Sequence, residues 1–358
     1  MSRKFPPDPP LDYPCGDIPA YGSAQEVAPG VLWVPMPLPM ALNRINLWLI
    51  EDGDGWSLVD TGLRTADTEQ HWEQVLAGPM QGRPLKRVIA THMHPDHTGM
   101  AGWLTRRFGC ELWMTRLEYL TCRLMAADTG RPAPQEGLDF YRHAGWDEAS
   151  LERYRTRFGT FGKGLHAMPE SYRRINDGDT LRIGAHLWRV VVGNGHSPEH
   201  ACLHCPELDV LISGDQLLPR ISSNVSVHPT EPEADPFTDW LDSLDKLQRE
   251  IPPHTLILPA HNEPFRGLLQ RLHSLRQEHA AAFERLLEVL PQPHRLIDLI
   301  SVLFNRRVRD DAALLGFATG EALACVNHLR AQGRVQRHTD ATGIDWYSLH
   351  PGGTPQAG

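Results

Sequence analysis

No apolar run in the chain approaches the ~18 residues that a membrane span requires. The start, Met1-Ser2-Arg3-Lys4-Phe5 followed by Pro6, Pro7, Pro9 and Pro10, lacks the apolar segment of an export signal. These two absences predict a cytoplasmic protein with no membrane partner. Cysteine is scarce: Cys15, Cys110, Cys122, Cys202, Cys205 and Cys325 are scattered and too few for a disulfide scaffold, so reduced thiols are expected. Cys202-Leu203-His204-Cys205 has the spacing of a redox or zinc half-site, but no second pair exists and the run reads as a strand, which favours a structural role. Net positive charge is also missing. A formal charge of -9 argues against a broad polyanion-binding surface and leaves room only for a local basic patch. No internal repeat is found.

What the chain does have is concentrated in Thr91-His92-Met93-His94-Pro95-Asp96-His97, directly after the strand-like run Arg87-Val88-Ile89-Ala90. Three imidazoles and a carboxylate within six positions suit a borderline divalent ion such as zinc at ~2.0–2.2 Å. Isolated histidines are common in cores and on surfaces; four ligand-type residues spaced H-x-H-x-D-H are a far more specific signal.

Length allows one large or two medium domains. Residues 1–24 read as a proline-rich extended arm, and 351–358 as a tail. Strands are expected at 31–34, 45–50 and 56–59, the last two joined by Asp52-Gly53-Asp54-Gly55. Val59-Asp60-Thr61-Gly62 ends a strand on an acid, making Asp60 a candidate to orient a ligand histidine and a member of the catalytic set; a turn-capping role is the alternative. Helices are expected at about 65–76 and 99–108. Residues 115–170 then break the strand–helix alternation with helices at 116–125 and 147–154 around a Gly130-to-Pro134 interruption, forming a lid, a pocket wall, or else a structural pad or dimer surface. A hairpin (181–183 and 187–192), a strand (210–215), a helix capped by Asp235 and Pro236, a strand (255–258) and a helix (265–290) follow. From 291 to 350 the pattern is helix (294–304), helix (311–315), helix (319–332) and hairpin (335–337 with 344–347), which spells a winged-helix-like module.

Ligand-type residues recur at strand ends: the first cluster, then His196, Asp215 and His261. Five imidazoles and two carboxylates suffice for two ions, with one carboxylate bridging. His200 reads as a supporting or structural residue, and His204 and His228 as surface or packing residues. The arrangement, with its Gly195-His196 and Ser213-Gly214-Asp215 contexts, resembles the metallo-β-lactamase-fold superfamily over roughly residues 27–265, specifically its glyoxalase II-like dinuclear hydrolases. The resemblance implies an α+β fold, an αββα sandwich with the site at one edge, within a catalytic domain spanning 25–290. It also implies that His92, His94 and His196 hold one metal, that Asp96, His97 and His261 hold the other, and that Asp215 bridges. Asp215 stands where zinc β-lactamases of the best-known subclass carry cysteine, which argues against antibiotic hydrolysis.

Two divalent ions, zinc first with iron or manganese as alternatives, lower the pKa of a bridging water towards 7 and polarise the bond to be cleaved. Asp96 is the candidate to orient that nucleophile and relay its proton. Arg220 and Asn224, in the loop after Asp215, are candidates to grip substrate. The expected reaction is hydrolysis of a small acyl ester or thioester, acyl-CoA-like or acyl-glutathione-like; lactone hydrolysis and iron-dependent persulfide oxidation rank lower. The tail resembles the winged helix of the lactamase-β-like group, some of whose members cut RNA, so a nuclease is the second class. Seven arginines (Arg295, Arg306, Arg307, Arg309, Arg330, Arg334, Arg337) stand against six acids there, a near-neutral balance that ranks nucleic acid below a small acyl partner. Self-association is compatible with all of these readings, as is a third class, a metal-binding sensor without turnover.

Overall fold

The structure is a computed structural model and describes residues 10–40, 42–304, 308 and 311–352. It divides into two compact units. The first runs through Thr129 and adds Thr160–Ser223 and Ser243–Ser274; the second comprises Gly130–Gly159, Asn224–Asp242 and the chain from Leu275.

Two sheets form the first unit. One has seven strands in sequence order: Gln25–Ala28, Val31–Pro37, Arg44–Asp52, Gly55–Val59, Leu85–Ile89, Glu111–Met114 and Arg173–Arg174. The first four are antiparallel neighbours and the rest pair in parallel. The other has five strands in the order Leu256–Pro259, Val210–Gly214, His200–Cys205, His186–Gly193 and Thr180–Ile183.

Strand side chains alternate between two cores. Ile45, Leu47 and Leu49 enter one cluster, together with Trp72, Leu104 and Cys122 from the covering helices. Trp48 and Ile50 enter the other, where Trp188, Leu203 and Ile212 of the second sheet meet them. The run 45–50, apolar but for Asn46, is therefore a strand buried on both faces. Helices Ala66–Ala77, Ala101–Phe108 and Arg116–Ala127 lie on the outer side of the seven-stranded sheet, and the expected mixed α+β sandwich is the observed fold. The loops after Leu85–Ile89, His186–Gly193, Val210–Gly214 and Leu256–Pro259 carry the candidate ligands, and the one after Gly55–Val59 carries Asp60.

Several local expectations are corrected. Phe265 does not start the long helix: it exchanges backbone hydrogen bonds with Ile257 (2.8 and 3.0 Å), and the helix runs Leu268–Val289. Residues 135–143, which carry weak apolar periodicity, form a further helix, Gln135–His143, before Glu148–Arg157. Both belong to the second unit, whereas Arg116–Ala127 belongs to the first. Within 10–24, residue Asp12 bridges to Arg266 and Gln25 Nε2 donates to Cys15 O, so this part of the arm is fastened down.

In the second unit the helices expected at 311–315 and 319–332 are one, Ala312–Ala331. Glycine costs helix stability of about 1 kcal/mol relative to alanine, yet Gly320 serves close packing. A Cβ there would sit 2.8 Å from Ser226 Oγ and 2.9 Å from Val227 O, and Val227 N donates to Gly320 O at 3.1 Å. The unit is completed by helix Leu296–Leu303 and a three-stranded sheet ordered His294–Arg295, Asp345–Leu349, Val335–Thr339. Arg306, Arg307 and Arg309 lie outside the described residues. Among the described residues no helix is long and apolar enough to cross a membrane.

Candidate metal centre

All seven expected ligands converge. His92, His94, His196 and Asp215 form one group, and Asp96, His97 and His261 a second, each with its ligand atoms within 4.8 Å of one another. Asp215 faces both. Its Oδ2 lies 3.4 Å from His196 Nε2, 4.0 Å from His92 Nε2 and 3.6 Å from His97 Nε2, while its Oδ1 is 3.4 Å from His261 Nε2. Asp96 Oδ2 sits 3.4 Å from His261 Nε2 and 3.6 Å from His97 Nε2. Ligands on arms of ~2.0–2.2 Å set tetrahedrally around one ion lie ~3.3–3.6 Å apart, so most of these separations fit a shared ion better than a hydrogen bond. His97 Nε2 and Asp215 Oδ1 are buried and, among the described residues, have no hydrogen-bond partner. Buried polar atoms of this kind suit the coordination shell of a cation.

The far sides of the rings are tied down. His97 Nδ1 lies 2.8 Å from Asp60 Oδ2, His261 Nδ1 lies 2.8 Å from the carbonyl of Arg44, and His92 Nδ1 lies 3.1 Å from Thr91 Oγ1. A proton held on the far nitrogen leaves the lone pair of Nε2 for the centre. His94 presents its other nitrogen, with Nδ1 2.8 Å from His92 Nε2.

Charge follows the same division. Burial, reinforced by neighbouring imidazoles, pushes His92 well below its ordinary value and His94 down to about 3, so both are neutral donors. Burial also opposes charge on His97 and His261, but Asp60, Asp96 and Asp215 outweigh it, raising His97 strongly and His261 to about 9. Against their own burial, Asp96 is held at about 2 by His97 and His261, and Asp215 is held well below the carboxylate range. The two acids thus demand positive charge from whatever adjoins them, and a divalent ion supplies it while displacing the imidazole protons.

Asp60, expected in the catalytic set, lies behind the site. Its φ is +60°, and its carboxylate is spent on Thr91 N (2.8 Å), Thr91 Oγ1 and His97. Its contact with the ligand set is the His97 ring. His200 is a support as well: its Nε2 accepts from Asp215 N at 3.0 Å, and burial keeps it neutral. Gly214 makes room for that bond, since a Cβ there would meet His200 Nε2 at 2.5 Å and its φ is +51°. Arg220 pairs with Glu263 at 2.9 Å and stacks over Tyr13; the Asn224 amide is committed to Glu321 (2.7 Å) and Ser226. Cys202 and Cys205 are buried free thiols and join neither ligand group; His204 is buried in packing and His228 is exposed.

Three supports have no motif. Thr91 links Asp60, His92 and His97 through one hydroxyl. Asn46 donates to the carbonyls of Pro259 and Asn262 (2.9 and 2.6 Å), which bracket His261. Glu118, fully buried, accepts from Met93 N (2.9 Å), Ser197 Oγ (2.6 Å) and Glu199 N (2.7 Å), fastening the loop of His92 and His94 to the loop of His196. Its signal is an acid on the buried helix face that also carries Tyr119 and Cys122.

The family model described as "Metallo-beta-lactamase superfamily" matches residues 41–288, and that of the "Metallo-beta-lactamase-like, C-terminal domain" matches 283–350. The crystal structure of a beta-lactamase domain protein from Burkholderia ambifaria is 42% identical with a TM-score of 0.87, covering 95% of this chain and 98% of that one. The probable metallo-hydrolase YqjP of Bacillus subtilis is 21% identical, covering 73% of this chain and 81% of its own. Atrochrysone carboxyl ACP thioesterase of Aspergillus fumigatus is 25% identical over 70% of this chain but only 45% of its own length. The acyl-coenzyme A thioesterase MBLAC2 of Gallus gallus is 26% identical, covering 52% and 62%.

Proposed function

The chain belongs to the metallo-β-lactamase superfamily, and on that premise we propose that it is a cytoplasmic dinuclear metallohydrolase acting on a small acyl thioester or ester. The observation that carries this reading is Asp215, whose two oxygens address the two ligand groups at once. Divalent ions, zinc first and iron or manganese as alternatives, supply water of lowered pKa and a Lewis acid for the acyl carbonyl. The chain's residues do the rest. Asp96 keeps its carboxylate ionised among His97 and His261 and is the residue assigned to orient the nucleophile and take its proton. Asp60 and the Arg44 carbonyl fix the orientation of two imidazoles, and Arg220, half exposed on its Glu263 partner, is the candidate to meet a substrate carboxylate or phosphate.

Two relatives named as thioesterases support the choice of an acyl thioester over a lactone. A polyanion is disfavoured by the tail, whose described arginines are neutralised locally: Arg295 by Asp298, Arg334 by Glu284, and Arg330 and Arg337 by Glu233 and Asp345 together. Such pairing leaves no basic stripe for phosphates on these residues. The test is metal analysis beside a panel of acyl-CoA, acyl-glutathione, lactone, phosphodiester and single-stranded RNA. About two metal equivalents per chain with thioester turnover are expected. Turnover confined to RNA, or full activity at one equivalent, overturns the proposal.

A further inference from the structure

A recess of about 430 Å³ in the first unit shares no residue with the metal centre. Arg87, Trp113, Arg173, Arg174, Asp179 and Arg182 line it. Four arginines around one acid invert the charge of a chain that is -9 overall. The sheets bring them together. Arg87, Trp113 and the Arg173-Arg174 pair come from three successive parallel strands, and Arg182 from the edge strand of the second sheet.

The cluster is built rather than incidental. The guanidinium carbons of Arg87 and Arg173 lie 4.7 and 4.6 Å from the centroid of the Trp113 ring, which holds both cations at one place. Arg87 is further anchored by Asp52 at 2.9 Å. Asp179 turns its carboxylate to Asn176, accepting from the backbone N at 2.8 Å and the side-chain amide at 3.0 Å. Arg173 reaches Glu111 only at 3.9 Å, with both side chains more than half exposed, and such pairs contribute little. Arg174 and Arg182 have no ion pair among the described residues.

We infer that this recess binds an anion bearing two adjacent phosphates. With Arg87 paired to Asp52 and Arg173 beside Glu111, the guanidinium charges of Arg174 and Arg182 are the two left to be met. Planar guanidinium forks match phosphate oxygens in pairs. A lone carboxylate satisfies one fork; a diphosphate spans both.

The experiment titrates inorganic pyrophosphate and ADP, separately, into the metal-loaded full-length protein, with calorimetry and tryptophan fluorescence as readouts. Saturable binding that weakens as salt is raised is expected. The double variant Arg174→Ala/Arg182→Ala keeps its metal content and loses affinity on the order of a hundredfold, about tenfold for each charged contact removed. Trp113→Phe retains binding but loses the ligand-dependent fluorescence change, which places the anion beside that ring. Tighter binding of ADP assigns the ligand to nucleotides, and equal binding assigns it to a free diphosphate. The inference fails if the double variant binds like the wild type, since the anion then sits on the metals, or if neither probe saturates.

Discussion

Replacing Glu118 tests whether the two loops of the first ligand group are held by one side chain. Its Oε1 takes Ser197 Oγ and Glu199 N, and its Oε2 takes Met93 N, with no water-exposed surface to compensate a loss. Glu118→Ala leaves the N–H groups of Met93 and Glu199 without acceptors, at ~1–3 kcal/mol each, or roughly 2–6 kcal/mol together. That is a large share of the ~5–15 kcal/mol that keeps a domain folded, so this variant is expected to misfold in part. Glu118→Gln is the sharper probe. Its oxygen still serves Ser197 and Glu199, while its amide presents a donor to Met93 N and loses one bond, about 1–3 kcal/mol. At ~2–4 °C per kcal/mol for a chain of this size, the melting midpoint falls by several degrees. Because Met93 lies between His92 and His94, and Ser197 follows His196, zinc affinity falls as well, by ~10–100-fold, the usual cost of losing a support behind a ligand. The assay is competitive zinc titration against a chelator, run beside thermal melting at saturating zinc. If Glu118→Gln melts early but binds zinc as tightly as the wild type, the carboxylate serves only the fold and the argument is refuted.

Other outcomes follow from the same geometry. Asp60→Asn keeps an acceptor for Thr91 but removes the charge behind His97, so zinc affinity and turnover drop together by ~10–100-fold while the far-UV spectrum is unchanged. Gly214→Ala drives a methyl into His200 Nε2 at a left-handed φ and is expected to cost ~1–3 kcal/mol with loss of metal, read by melting and metal analysis. Chelation by EDTA should lower the melting midpoint and abolish thioester turnover, both restored by zinc. Burial raises Glu321 to about 7, partly offset by the amide of Asn224. A carboxyl raised on folding favours the protonated native state, so its contribution is full below about 4.5 and is lost as pH rises through about 7. Glu321→Gln should therefore raise the melting midpoint at pH 8 and leave it unchanged at pH 4; a shift of equal size at both values sinks this assignment.

The sequence announced its chemistry unevenly, for physical reasons. His92, His94, Asp96 and His97 are legible because one turn after one strand can hold them all, so their spacing is itself the signal. His196, Asp215 and His261 are each a single residue at a strand end, and only their order along the chain, matched to a family pattern, joins them to the first cluster. The supports are opaque. Asn46 looks like a polar interruption in an apolar strand until the Pro259–Asn262 backbone arrives opposite it. Glu118 violates the apolar stripe of its helix, a signal visible beforehand but open to many explanations. The arginine recess is opaque as well, because Arg87 and Arg182 meet through the pairing of sheets and no local rule connects them. In the fold, alternation of buried residues exposed the strands, whereas helix Ala312–Ala331 runs on through Gly316 and Gly320, and the close approach of Ser226 and Val227 accounts for the glycine at 320 alone.

The clasp between Arg44 and His261 spans 217 positions. At the ~5–20 residues per second of protein synthesis, roughly 10–40 s separate the emergence of its two halves. During that interval a nascent chain displays the His92-to-His97 cluster with its last imidazole unmade. On the proposed assignment, a cation held by the full ligand set would have to wait until translation has passed Asn262.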